Sequence, residues 1–412
     1  MGTPLFESML IPSRVSNLEE ARRRYGSRAD YYVRFLTIGD PLADAVVEAF
    51  QELPPGEGQR MLDLALERGI DAVPDAPDAL RALFEQLDTV PAWVDWKRLR
   101  RGALAYQRTG LAGAMVLSAL SLMNGYHSAA AVKPLVFTRQ LDKMARRRLA
   151  ETGRFIADTI AVDGLRRHAR GFASTVKVRM VHAAVRRMLS RSPHWDTRAW
   201  GTPINNADMA ATSLSFSVAM LYGTRAMGLR FDQREADDLM LLWRYSGYLS
   251  GVDAGLLPAS EAEGMEWAEL IDLLQPGPDQ GSVALAQALR RVILERAESP
   301  WEKALAKVAL RYHDGLTRAT AGDDVAEDLG CGHPYWKYAV TLTRGLVWPI
   351  ESLRPWIPGA NRMASWIGYR AFLQAVAHDL KGEDARFEMP KVLSRSSRER
   401  QPSRRISLAA QR

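Results

Sequence analysis

The stretch TVKVRMVHAAVRRML, Thr175–Leu189, constrains the fold of this chain more than any other, because it reads as an unbroken helix with one histidine set in its apolar face. At 100° per residue, Val178, Val181, Val185, Met188 and Leu189 fall on one side with His182 among them, and Arg179 and Arg186 lie together along the edge of that face. An imidazole is thereby aimed at the core between two cations. Two readings stay open on the stretch alone: a core histidine whose ring nitrogens are satisfied by neighbours, and a histidine reserved for a ligand.

The same 3–4 spacing of apolar residues recurs in DPLADAVVEAFQEL, GQRMLDLALERGI, DALRALFEQLDTV and EADDLMLLWRYSGYLSGV, while short alternating β-rich runs between turn pairs are scarce. The fold class is therefore all-α. Asp40 is placed to cap a helix with Pro41 at its first position, Asn205 or Asn206 to cap another, and Gly255 and Pro258 to stop one. Thr109–Val132 carries no Lys, Arg, Asp or Glu, yet its Gly, Ser, Asn and His residues argue for a buried central helix over a membrane span, which needs about 20 predominantly apolar residues.

No break in the body divides the 412 residues, so the expected organisation is an irregular N-terminal arm over 1–28, a single large helical domain over 29–380 and a basic tail over 381–412. The net charge of +7 belongs mainly to that tail: seven Lys/Arg stand against one Glu from Pro390 to Arg412. The tail reads as disordered, weak contact with an anionic membrane surface is the partner its charge suggests, and no nucleic-acid partner is expected of the near-neutral body. Cys331 is the sole cysteine, which excludes an internal disulfide, a thiolate zinc cluster and covalent C-x-x-C-H haem attachment. The N-terminal sequence has neither a basic n-region followed by an apolar run nor a twin-arginine signal, so cytoplasmic residence is the expectation.

H-E-x-x-H, G-x-S-x-G, Walker and G-x-G-x-x-G motifs are absent, as are the Glu-x-x-His pairs of a di-iron bundle. His127, His168, His194, His313, His333 and His378 show no metal-ligand spacing and read as structural or solvent-facing. In LDKMARRRLAETGRFIADTI, Arg148 and Thr152 are four apart, hence on one helical face, with Phe155 close to the same stripe. A cation and a hydroxyl so placed can hydrogen-bond a bound oxygen species or orient a polar ligand. Equally, Arg146, Arg147 and Arg148 can form a solvated face with Thr152 as a small packing residue.

RRLAETGRF, TVKVRMVHAAVR, WGTPINNADMAAT and LWRYSGYLSGVDAGLLP, in that order and spacing, resemble the family of latex-clearing rubber oxygenases and mpaB-type oxygenases over about residues 30–265. The resemblance implies an all-helical fold with a globin-like core and a noncovalent b-type haem, with His182 as the proximal iron ligand and Arg148 and Thr152 lining the distal pocket. Arg179 or Arg186 would neutralise the porphyrin propionates. It implies a dioxygen-dependent oxygenase acting on a lipophilic alkene, with oxidative C=C cleavage of an isoprenoid or fatty chain as the reaction. The chain departs from the family pattern at Glu151, where rubber oxygenases can carry a lysine ligand, and in NGYHSAAAVK, which lacks their upstream glutamate. A haem-binding sensor or carrier without turnover, and a cofactor-free helical interaction protein, are the alternatives.

Overall fold

The structure, a computed structural model, describes residues 10–137, 145–295 and 297–380, together with Glu383, Ala385 and Phe387. Expectations for residues 1–9 and, those three positions apart, for the basic tail beyond 380 lie outside the described residues.

Helix begins earlier than the sequence suggests. Leu18–Tyr25 (α1) and Ser27–Arg34 (α2) are helical, so the expected irregular arm over 1–28 gives way to regular structure from Leu18. The cause is charge order: Glu19 and Glu20 stand in the first turn of α1 and Arg22, Arg23 and Arg24 in its last, matching the helix dipole, while Arg22 also bonds Asp30 at 2.8 Å. α3 (Pro41–Phe50) starts as its sequence dictates, with the Ala43 N–H donating to Asp40 and Pro41 at the first position. α4 (Glu57–Arg68), α5 (Asp78–Asp88) and α6 (Trp96–Gln107) follow.

The uncharged stretch after Thr109 is not one helix. α7 (Gly110–Val116) passes through a π-helical turn, Leu117–Leu122, into α8 (Met123–His127), and the backbone extends at Ser128 before α9 (Ala129–Phe137). Gly110 turns the chain out of α6 at φ 49°, where a Cβ would lie 2.9 Å from the Cα of Gly368. α10 (Ala145–Thr159) and α11 (Arg170–Ser190) form an antiparallel pair that closes tightly: a Cβ on Gly171 would stand 2.4 Å from the Asp158 carbonyl, and Ser174 Oγ donates to Asp158 at 2.9 Å.

α12 (Thr197–Trp200), α13 (Asn206–Phe216), α14 (Val218–Ala226) and α15 (Gln233–Leu249) come next, with Asn205 serving as the α13 cap by accepting from the Asp208 N–H. α16 (Glu261–Leu274), α17 (Gln280–Glu295), α18 (Pro300–Thr320), α19 (Asp323–Asp328), α20 (Lys337–Leu353) and α21 (Ala360–Asp379) complete an all-α fold, with no strand among the described residues. α11 lies inside the bundle, packed on α3, α10 and α15, and contributes Phe172, Val176, Met180 and Ala183 to the main core. A smaller core joins α8, α9, α17 and α19 through Met123, Tyr126, Leu285, Leu289 and Leu329. Among the described residues, no helix is long and apolar enough to cross a membrane.

Candidate active site

The arginines, not the valines, form the buried side of α11. Arg179 and Arg186 are 2% and 4% exposed, whereas Val178, Val181, His182, Val185 and Met188 stay partly accessible, and only Leu189 of the anticipated apolar face is fully enclosed. Carboxylates ahead of and within α3 account for the inversion. Arg179 donates from Nε and Nη2 to Asp40 at 2.6 and 2.9 Å and from Nη1 to Gln86 at 2.7 Å, and Arg186 donates to Asp44 at 2.8 Å and to the Ile204 carbonyl at 2.7 Å. Burial pushes the Asp44 carboxyl up, and Arg186 opposes that shift. Both guanidinium groups are thus engaged by carboxylates within the fold.

Two glycines make room for these ion pairs. At Gly251, φ 83°, a Cβ would fall 2.2 Å from Asp40 Oδ2, and at Gly39 it would fall 2.7 Å from Arg186 Nε. Asn206 ties the two loops together by donating to the Gly39 and Gly251 carbonyls at 3.2 and 2.8 Å and accepting from the Asp253 N–H at 2.7 Å. The WGTPINNADM and SGYLSGVDAG segments therefore meet behind α11 and fix its rotation. Sequence reading had Asp40 only as a helix cap and Asn206 only as a cap candidate; two acids four apart facing two arginines seven apart was the available signal.

His182 lies within the bundle and its ring is only partly accessible. Its Nδ1 is sealed and has no hydrogen-bond partner among the described residues. Burial pulls its pKa down to about 4, the Arg186 charge acts in the same sense and Asp40 opposes, so the imidazole is neutral at pH 7. A neutral imidazole is the form that can ligate a metal ion.

α10 packs along α11 and carries Arg148 and Thr152. Arg148 hydrogen-bonds the hydroxyl of Tyr126 on α8, whose pKa is raised chiefly by burial and held back by the arginine. Thr152 Oγ1 donates to the Arg148 carbonyl at 3.0 Å, which leaves its oxygen lone pairs as acceptors. Glu151 bonds Arg147 at 3.1 Å. One turn further, Phe155 meets Phe216 and Trp243 with ring centroids at 6.2 and 6.3 Å, and the last two stack at 4.9 Å, giving an aromatic cluster from three helices. Tyr126 was invisible to sequence reasoning, since its only local signal is a tyrosine in a stretch without charges.

The remaining histidines have structural partners where partners are seen: His127 with Asp328 at 2.9 Å, His168 with the Leu66 carbonyl at 3.2 Å and the fully buried His313 with Ser118 at 3.1 Å. No group of three or more His, Cys, Asp or Glu is arranged to hold a metal ion among the described residues. An open groove of about 700 Å³ between Asp95–Arg101 and Gln233–Asp238 contains none of the expected site residues; it lies over Asp238, which Arg98 and Arg101 hold at 2.7 and 2.6 Å.

Residues 105–352, which carry His182, Arg148 and Thr152, match the family described as ER-bound oxygenase mpaB/B'/Rubber oxygenase, catalytic domain. The chain belongs to that family. A rubber oxygenase from Streptomyces sp. (strain K30) is 28% identical over 264 residues, which is 63% of this chain and 64% of that relative, so the likeness spans under two thirds of its length. The solved structure of latex clearing protein LCP in the closed state superposes with a TM-score of 0.59 at 23% identity, covering 83% of this chain and 90% of that one, and shares the helical fold.

Proposed function

We propose that this chain is a haem b-dependent oxygenase that uses dioxygen on a lipophilic alkene, with oxidative cleavage of a C=C bond in an isoprenoid or fatty chain as its reaction. The observation that carries the reading is His182: an enclosed, neutral imidazole whose Nδ1 has no partner among the described residues, inside the segment that matches an oxygenase catalytic domain. With haem bound at His182, the iron would supply the oxygen-activating chemistry.

The chain's own residues then have distinct tasks. Arg148, whose guanidinium Tyr126 holds in place, would stabilise negative charge developing on an oxygen atom. Thr152 presents a hydroxyl oxygen whose proton is already committed to its own helix. Arg179 and Arg186 act as positioning residues: they lock α11 to α3, and Arg186 helps keep His182 unprotonated. Glu151, engaged by Arg147, offers no nitrogen as a second iron ligand. The aromatic cluster of Phe155, Phe216 and Trp243 is packed core, with Phe216 the member left partly accessible.

Expression with a haem precursor should give a red protein with a Soret band, and His182→Ala should lose most of that haem. Retention of the wild-type spectrum in the variant removes His182 as the ligand. Aerobic incubation with isoprenoid and unsaturated lipids should yield carbonyl products by mass spectrometry; a loaded protein that forms none is a binder and not an oxygenase.

A further inference from the structure

The α20–α21 hairpin, whose helices pack on α18 and α10 more than on each other, exposes a run of apolar side chains. Of the twenty-three large hydrophobic side chains exposed among the described residues, twelve lie between Tyr335 and Ile367. On α20 they form one stripe, Tyr338, Leu342, Leu346 and Ile350, each 65–70% exposed and spaced four apart, so they share a face. Trp356 at the hairpin tip is 84% exposed and Trp366 on α21 is 61% exposed. α18, which packs on α20, adds Trp301, Leu305 and Val308 at the same helical spacing.

The exposed charges of α20 and α21 have one sign. Arg344, Arg362 and Arg370 are exposed, and the guanidinium of Arg370 lies 5.4 Å from the centroid of the Trp366 ring. The two acids of α20 and α21 are tucked inward: Glu351 is paired with Arg354 at 13% side-chain exposure, and Asp379 is 11% exposed beside Arg146. Exposed Trp, Tyr, Leu and Ile with arginines among them match the headgroup–acyl boundary of an anionic bilayer, where aromatic rings sit at headgroup level and basic side chains meet lipid phosphate. A second copy of the chain is the poorer occupant, since a self-complementary contact would bring these arginines together without acids to pair them.

We propose that the α20–α21 hairpin is an interfacial docking element that seats the protein on an anionic phospholipid surface without spanning it. The inference is independent of the haem reading, and so is its test. Purified full-length protein should co-sediment with vesicles of phosphatidylcholine containing phosphatidylglycerol and bind pure phosphatidylcholine less, with a blue shift of tryptophan emission on binding. Raising salt should weaken the association without abolishing it, because the apolar contact is unscreened. Ile350→Glu and Trp356→Glu, both at exposed positions, should each lower vesicle affinity about tenfold or more, which is about 1.4 kcal/mol, with the thermal midpoint unchanged. Changing Arg398, Arg400, Arg404 and Arg405 to Gln in the full chain should leave most of the binding.

Absence of vesicle binding, or binding untouched by the two hairpin variants and lost with the tail variant, overturns the proposal. So does a wild-type dimer in sedimentation velocity that Ile350→Glu converts to monomer, which would assign the face to a second copy.

Discussion

His182 illustrates how one side chain reports its surroundings through pH. Its pKa is about 4 in the folded chain against about 6.5 unfolded, so between those values the unfolded state binds a proton that the folded state refuses. In the haem-free protein its contribution is complete above pH 6.5, is lost as pH falls toward 4, and changes no further below that. The ceiling is about 3 kcal/mol, and partial accessibility of the ring lowers it. The stability difference between wild type and His182→Gln, from urea midpoints, should therefore shift against the wild type by about 1–3 kcal/mol between pH 7 and pH 4.5. Parallel pH profiles for the two proteins would show that His182 is not desolvated. Arg148 is tested separately: Arg148→Ala should retain haem and lose about tenfold to a hundredfold in turnover, the worth of one charge-assisted hydrogen bond in a dry site. Unchanged turnover in a loaded variant takes Arg148 out of the reaction.

At the scale of elements, the rotation of α11 decides what His182 faces, and that rotation is set by two ion pairs and two glycines. Gly251→Ala should cost about 2–4 kcal/mol, combining left-handed backbone strain with displacement of the Asp40–Arg179 pair, and should lower haem occupancy as well. Gly125, in α8, has nothing within 4 Å of a built Cβ, so Gly125→Ala should be neutral or stabilising by about 0.5–1 kcal/mol. Equal thermal shifts for the two variants would contradict this account of the α3–α11 junction. The same junction shows where sequence reasoning stops. The Asp40 and Asn205 caps were legible because their partners are three residues away, and the helical content because its period is local. The buried face of α11 was misassigned because periodicity counts arginine as solvent-facing, while the acids that bury these arginines stand 139 and 142 residues earlier. His182, Arg148 and Thr152 were nameable through their motifs; Tyr126 was not, since its pairing with Arg148 exists only once α8 and α10 come together.

For the whole molecule, the question is whether its two cores open together. Cys331, the sole cysteine, belongs to the smaller core, is 6% exposed and has its thiol pKa pushed up to about 12 by burial, so a thiol reagent finds almost no accessible thiolate in the folded protein. Its labelling rate is therefore a clock for opening of that core alone. Leu289→Ala removes a fully packed side chain beside it, at about 2–5 kcal/mol, and Phe172→Ala removes one of comparable cost from the main core behind α11. If the smaller core opens as its own unit, Leu289→Ala should speed Cys331 labelling about thirtyfold or more, since each 1.4 kcal/mol is a factor of ten. Phe172→Ala, acting on the other core, should leave that rate within a few fold. The proposed haem site carries the opposite expectation: if His182 holds haem, Phe172→Ala should weaken its retention, whereas Leu289→Ala should spare it. Equal acceleration of labelling by both variants, with haem lost in both, would mean that the chain opens only as one cooperative body and that the division between its cores is geometric without being energetic.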